Sequence, residues 1–227
     1  MNLSLPLAIE AFGLADPAGE KLDWSPRIEI TKHTKERDGR LSRYLTLRPK
    51  TLEDKALPKT IERALRFFAD KPRKVLTVGL GNPSIASDRL GYLTAGKLSP
   101  TDRLKTVAFG VEAHTGLSTV EVVRALARSL GFDLVVVVDA LACAKPQNLV
   151  RTIQLTDEGA FPGHGVGNRR AALDRDTLGV EVLSVGIPLI AHTDPYGEDV
   201  CVTPVDVEKA VEQCASLLSS AIEEAWA

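Results

Sequence analysis

The sequence predicts an α/β fold of three layers, a mostly parallel central sheet flanked by helices, and three observations carry that prediction. Apolar runs of strand length, VLTVGL (75–80), TVAFGV (106–111) and DLVVVVDAL (133–141), alternate with stretches of helical periodicity. DLVVVVDAL is apolar without a break in its valines, the pattern of a strand buried on both faces. With 227 residues and 44% hydrophobic content, the chain can bury one sizeable core without disulfides or metals.

Taken in order, RIEITKH (27–33) and RYLTLR (43–48) alternate apolar and polar residues about the turn-like KERDGR, and predict an N-terminal strand pair. This pair is expected as a flap over residues 1–50, ahead of a core over 74–227, all within one domain of 1–227. LEDKALPKTIERALRFFADKP (52–72) sets Ile61, Ala64, Leu65 and Phe68 at helical spacing and stops before Pro72. After VLTVGL come a loop, a short helix over Asp88–Lys97 and TVAFGV as the second core strand. TGLSTVEVVRALARSL (115–130) is a helix that Ser118 or Thr119 can cap and Gly131 ends. LVRTIQLTD (149–157) and VEVLSVGIPLI (180–190) supply two more strands, and residues 205–226 close the chain as a helix. No internal repeat, low-complexity tract or linker divides the chain.

The formal net charge is −2, with basic residues spread along the chain, so no basic stripe for nucleic acid is present. Cys143, Cys201 and Cys214 have no CxxC spacing and suggest neither a disulfide framework nor a zinc knuckle. No signal-peptide pattern opens the chain, and no apolar run approaches the roughly 20 residues of a membrane span. A soluble protein of the reducing cytoplasm is expected, with no nucleic-acid or membrane partner.

In parallel sheets, function collects beyond the carboxyl ends of the strands. Asp88 lies in the loop after VLTVGL, and Asp139 follows four valines directly. A carboxylate there is costly to desolvate unless it is hydrogen-bonded, paired or set at a cleft. Two readings stand side by side: functional acids, or caps, with Asp88 capping a helix that begins at Arg89 and Asp139 capping a following turn. FPGHGVGNRR (161–170) packs glycines, an asparagine and two arginines into one short loop, suited to an anion or a peptide carbonyl, or to plain solvation. It lacks the order of a phosphate-binding loop. VEAHTGLST (111–119) places His114 between a strand and a helix N-terminus, where it is either structural or a site residue.

Read together, GLGNPSIASDRLG, VEAHTGLSTVEVV, VVVVDALA, TIQLTDEGAFPGHGVGNRR and TLGVEVLSVGIP resemble the spore germination protease family, in order and spacing over roughly residues 26–190. The stretch LAIEA (7–11) is similar to the start of that family's mature chain. The resemblance implies a phosphorylase/hydrolase-like α/β fold and an atypical aspartic endopeptidase acting on small acid-soluble spore proteins. Its two essential aspartates fall on Asp88 and Asp139. Substrate contacts would come from Gly81 and Asn82 in the first loop, from His114, and from the GxGVGN turn, Gly163, Gly165, Gly167 and Asn168. No cofactor is implied. A homo-oligomer in the cytoplasm, or in the spore core of a spore former, is expected.

The sequence departs from the family in four ways. It is much shorter, it has Leu5-Pro6 where a Thr-Asp usually precedes LAIEA, and no long propeptide precedes that stretch, so autoprocessing from a zymogen is not expected. His164 stands where the family carries a small residue. More distantly, the chain resembles the hydrogenase-maturation endopeptidases, and this resemblance implies an alternative: Asp88, Asp139 and His164 as ligands of a divalent metal. A non-catalytic peptide-binding relative is the third possibility. Peptidyl-tRNA hydrolase, suggested by VGLGNP alone, lacks its downstream Thr-Arg-His-Asn run here and is set aside.

Overall fold

The computed structural model describes residues 19–37, 39–110, 115–161, 172–193 and 200–227. The elements run β1 (Glu20–Lys21), β2 (Ile28–Arg37), β3 (Arg40–Pro49), α1 (Leu57–Phe68), β4 (Val75–Gly79), α2 (Leu90–Lys97), β5 (Leu104–Ala108), α3 (Thr119–Leu130), β6 (Leu134–Cys143), β7 (Ile153–Thr156), α4 (Arg175–Leu178), β8 (Glu181–Thr193), β9 (Val200–Val202) and α5 (Val207–Trp226). Short 3₁₀ turns at Ala86–Asp88 and Pro146–Asn148 precede α2 and β7. The strands form one sheet in the order β1-β2-β3-β7-β8-β6-β4-β5, with β9 pairing to β8.

That sheet is mixed, which corrects the expected mostly parallel one. The β5-β4-β6-β8 block is parallel, as the alternation of strand and helix predicts. The β1-β2-β3-β7 block runs antiparallel and meets β8 through β7, and β9 is antiparallel on β8 as well. The alternating strand pair is present but is no separate flap: β3 bonds to β7 with Leu45 opposite Leu155 and Leu47 opposite Ile153. Its inward residues Ile28, Ile30, Leu45 and Leu47 are at most 2% exposed, so burial explains why the hairpin is built into the sheet. Most of KERDGR is strand rather than turn; the reversal is confined to the region of Gly39, whose φ of 75° suits a tight hairpin.

Two helical layers cover the sheet. On one face Val136, Val138, Leu45 and Leu155 pack with Ile61 and Leu65 of α1, Leu90 of α2 and Leu218 and Ile222 of α5. On the other, Val135 and Val137 pack with Val120, Val123 and Ala127 of α3 and Leu178 of α4. The four valines of β6 therefore face apolar layers alternately up and down, and all four are fully buried. Ser118 caps α3 by accepting from the Glu121 amide at 3.5 Å, and Gly131 ends it at φ 67°. No helix of the described residues is long and apolar enough to cross a membrane.

Candidate active site

The site grows from the end of β4. Leu80 has left the strand but its amide still donates to the Val138 carbonyl at 2.9 Å, which ties the first loop to β6 one residue before Asp139. The chain then turns at Gly81, with φ 105°; a Cβ there would lie 1.7 Å from the Asp88 carbonyl oxygen, so only glycine lets the loop fold onto its own acid. Asp88 ends the 3₁₀ turn, its amide donating to the Ile85 carbonyl at 2.9 Å. Its Oδ2 accepts from the Asn82 amide at 2.8 Å, and Asn82 Oδ1 accepts from the Ser84 amide at 2.9 Å. Because its carboxylate turns back on the loop, Asp88 does not cap α2, whose N-cap Arg89 makes no side-chain cap bond. The capping reading of Asp88 is thereby removed.

Asp139 lies inside β6, which runs four residues further, to Cys143; the strand does not end at the valines. It pairs in register with Gly186 of β8, and its Oδ1 accepts from the Ala140 amide at 2.9 Å. Gly79 of β4 is level with Val138, so β6 carries Asp139 just past the end of β4, where the Asp88 loop sits. The structure thus brings Asp88 and Asp139 to one edge, beyond the carboxyl end of β4.

Their electrostatics follow from that place. Burial raises the Asp139 carboxyl to about 7, the charge of Asp88 adds to the rise, and the Ala140 amide opposes it. Burial also raises Asp88, with the Asn82 amide pulling it back toward ionisation. Two partly buried acids that each resist ionising, one in the field of the other, are equipped to hold one proton between them near neutral pH.

The other expected site residues divide. Gly81 and Asn82 are at the site, but the Asn82 amide hydrogen expected to meet substrate is committed to Asp88, so Asn82 orients the acid. His114, Gly163, Gly165, Gly167, Asn168 and the alternative metal ligand His164 lie outside the described residues. Among the described residues no group of three or more His, Cys, Asp or Glu side chains is placed to hold a metal.

Two glycines that the motif reading passed over complete the scaffold. A Cβ on Gly91 would lie 2.1 Å from the Val138 carbonyl oxygen and 2.5 Å from the Leu80 amide nitrogen. A Cβ on Gly186 would lie 2.7 Å from the Asp139 carbonyl oxygen and 2.6 Å from Leu141 Cγ. Their signal was a glycine inside an otherwise regular helix or strand, which marks close backbone approach. Arg89, beside Asp88, pairs with Glu208 of α5 and so joins the loop to the last helix. No spacing in the sequence announces that pair.

Residues 25–194 match the sequence model of the germination protease family. Similar curated proteins include the germination proteases of Clostridium acetobutylicum, 37% identical over 166 residues, covering 61% of this chain and 51% of that one. That of Bacillus pumilus is 31% identical over 210 residues, covering 79% and 57%. That of Bacillus subtilis is 30% identical over 200 residues, covering 76% and 54%. The chain spans about half the length of the curated relatives it matches. Among solved structures, a NiFe hydrogenase maturation protease from Thermococcus kodakarensis aligns at a TM-score of 0.43 and 17% identity, over 70% of this chain and 99% of that one.

Proposed function

The chain belongs to the germination protease family, and we propose that it is an endopeptidase that hydrolyses small acid-soluble spore proteins in the cytoplasm of the spore core, by an aspartic mechanism with Asp88 and Asp139 as the acid–base pair. The observation that carries the reading is the placement of two desolvated carboxyls at one sheet edge, the second raised to about 7 partly by the first.

The chemistry needs one water between the two carboxyls. Asp88, whose ionised form is supported by the Asn82 amide, takes a proton from that water as its oxygen attacks the peptide carbonyl carbon. Asp139, the higher of the two, enters protonated and donates to the carbonyl oxygen, which stabilises the tetrahedral intermediate. The proton gained by Asp88 then passes to the leaving nitrogen as the C–N bond breaks, and the hydroxyl formed from the carbonyl oxygen returns its proton to Asp139, giving a carboxylic acid and an amine with both carboxyls restored. No covalent nucleophile takes part, and the two carboxyls suffice without a metal.

The test is incubation of the purified protein with a small acid-soluble spore protein, with and without a chelator, followed by mass analysis of the fragments. Discrete internal cleavage that persists in chelator is expected. Cleavage that chelator abolishes and zinc restores would replace the aspartic mechanism with a metal-dependent one.

A further inference from the structure

The loop that carries Asp88 is held differently at its two ends. At its start the Leu80 amide donates to the Val138 carbonyl at 2.9 Å, one residue before Asp139 on β6. From residue 81 to 88, the hydrogen bonds among the described residues stay inside the loop: the Asn82 amide to Asp88 Oδ2, the Ser84 amide to Asn82 Oδ1, the Ile85 amide to the Asn82 carbonyl and the Asp88 amide to the Ile85 carbonyl. They fix the shape of the loop but not its place. At the far end Arg89 pairs with Glu208 in the first turn of α5. Arg89 follows Asp88 directly, so this pair reaches another element within one residue of the acid. Close packing at Gly91 brings α2 down onto β6, and the pair ties its first turn to α5.

Glu208 is itself well anchored. Asp206 caps α5 by accepting from the Lys209 amide at 3.2 Å, and Val211, Cys214 and Leu218 of that helix are fully buried. A carboxylate in the first turn is also favoured by the helix dipole. Arg89 has little freedom: its side chain is 27% exposed, and its Nε is buried without a hydrogen-bond partner. A guanidinium stays charged at any working pH, so one that loses its carboxylate in such a place turns to another. The acid next to it in the chain is Asp88. Glu208 therefore moors the loop and also keeps a fixed cation from competing for the catalytic carboxyl. A second pair, Lys97 with Glu212, ties α2 to α5 at the end of α2 away from the acid.

We propose, resting on the aspartic reading above, that Glu208 is a positioning residue for the reaction: through Arg89 it holds the Asp88 loop against Asp139, where one water serves both carboxyls. Neither Glu208 nor Arg89 takes part in proton transfer. They act on where Asp88 stands. The tether joins the acid loop, which lies inside residues 25–194 that match the family model, to a helix that lies outside them.

The experiment compares the full chain with Glu208→Gln, Arg89→Met, the double variant of the two, Arg89→Lys and Lys97→Met, reading kcat and KM on a purified small acid-soluble spore protein and the thermal midpoint of each. Glu208→Gln and Arg89→Met are each expected to lower kcat about tenfold with KM changed less than about twofold, as displacement of a catalytic group does. The double variant loses no more than the worse single one, because the two residues act as one unit. Arg89→Lys recovers most of the loss, and Lys97→Met leaves kcat as it is. All midpoints stay within about 4 °C of the wild type, since a partly exposed ion pair contributes little to stability. A kcat unchanged in Glu208→Gln, or lowered as much by Lys97→Met, overturns the proposal. Amide hydrogen exchange separates it from catalysis: in Glu208→Gln, exchange is expected about tenfold faster at Leu80 and Asn82 and unchanged at Val136, buried in the middle of β6. If the wild type cuts nothing, that faster exchange still supports the tether while the aspartic reading falls. Unchanged exchange at Leu80 and Asn82 overturns the tether whatever the wild type cuts.

Discussion

Asp139→Asn is expected to abolish cleavage and, at pH 8, to make the protein more stable. The loss of activity follows from the proposed role: an amide cannot hand a proton to the carbonyl oxygen, and removing a positioned acid costs about 10²–10⁴ in rate. The gain in stability follows from linkage. Asp139 is raised to about 7 in the folded chain, above the roughly 3.9 of an unfolded aspartate. Between those values the folded state holds a proton that the unfolded state releases. The contribution is present in full below about pH 4 and is lost as pH rises through about 7. At 1.36 kcal/mol per pH unit the span would be about 4 kcal/mol, and solvent screening at a carboxyl that is only partly buried brings it to about 1–2 kcal/mol. Asparagine carries no such penalty. Thermal midpoints at pH 4.5 and pH 8 should therefore diverge, the variant gaining on the wild type at the higher pH. Equal differences at both would mean that Asp139 ionises freely in the fold. Asp88→Asn should lose activity to a similar extent, for want of the base.

Gly91→Ala is the second large effect, and it acts on stability. The added methyl would sit 2.1 Å from the Val138 carbonyl oxygen and 2.5 Å from the Leu80 nitrogen. Those two groups are bonded to each other at 2.9 Å, and both are backbone, so neither can swing aside as a side chain would. The first turn of α2 must move off β6, breaking the Leu80–Val138 bond and carrying the Asp88 loop away from Asp139. Overpacking of this kind costs about 3 kcal/mol, or a fall of about 6–12 °C in thermal midpoint for a chain of this size. Gly96, five residues on in the same helix, is the control. A Cβ there meets nothing within 4 Å, so Gly96→Ala should stabilise by about 0.5–1 kcal/mol through helix propensity alone. A midpoint in Gly91→Ala within 2 °C of the wild type would show that the close approach is not needed.

The parallel half of the fold was legible because each of its strands is a compact apolar run: Val75–Gly79 and Leu134–Val138 announce burial on both faces, and the helices between them repeat at 3.6. The antiparallel half was legible as strands but not as part of the same sheet. Alternation in Ile28–Arg37 and Arg40–Pro49 tells which residues face inward, whereas the partner of Leu45 is Leu155, over a hundred residues away. Nothing local encodes that pairing. For the site, Asp88 and Asp139 stood out because an acid next to a buried strand must be compensated. What the residues alone could not decide was how: the capping reading of Asp88 fell only when its carboxylate was seen to accept from Asn82. The pair of Arg89 and Glu208 was invisible for the same reason as the hairpin. It exists only once α5 has packed beside α2, over a hundred residues along the chain.

The most direct test of the central claim, that Asp88 and Asp139 work as one acid–base pair, is the pH dependence of kcat/KM for cleavage of a small acid-soluble spore protein in the presence of chelator. The pair predicts a bell, rising on the acid side as Asp88 ionises and falling as pH passes about 7, where Asp139 gives up its proton. Cleavage that instead climbs steadily through pH 7 to 9, or that vanishes in chelator at every pH, would contradict it.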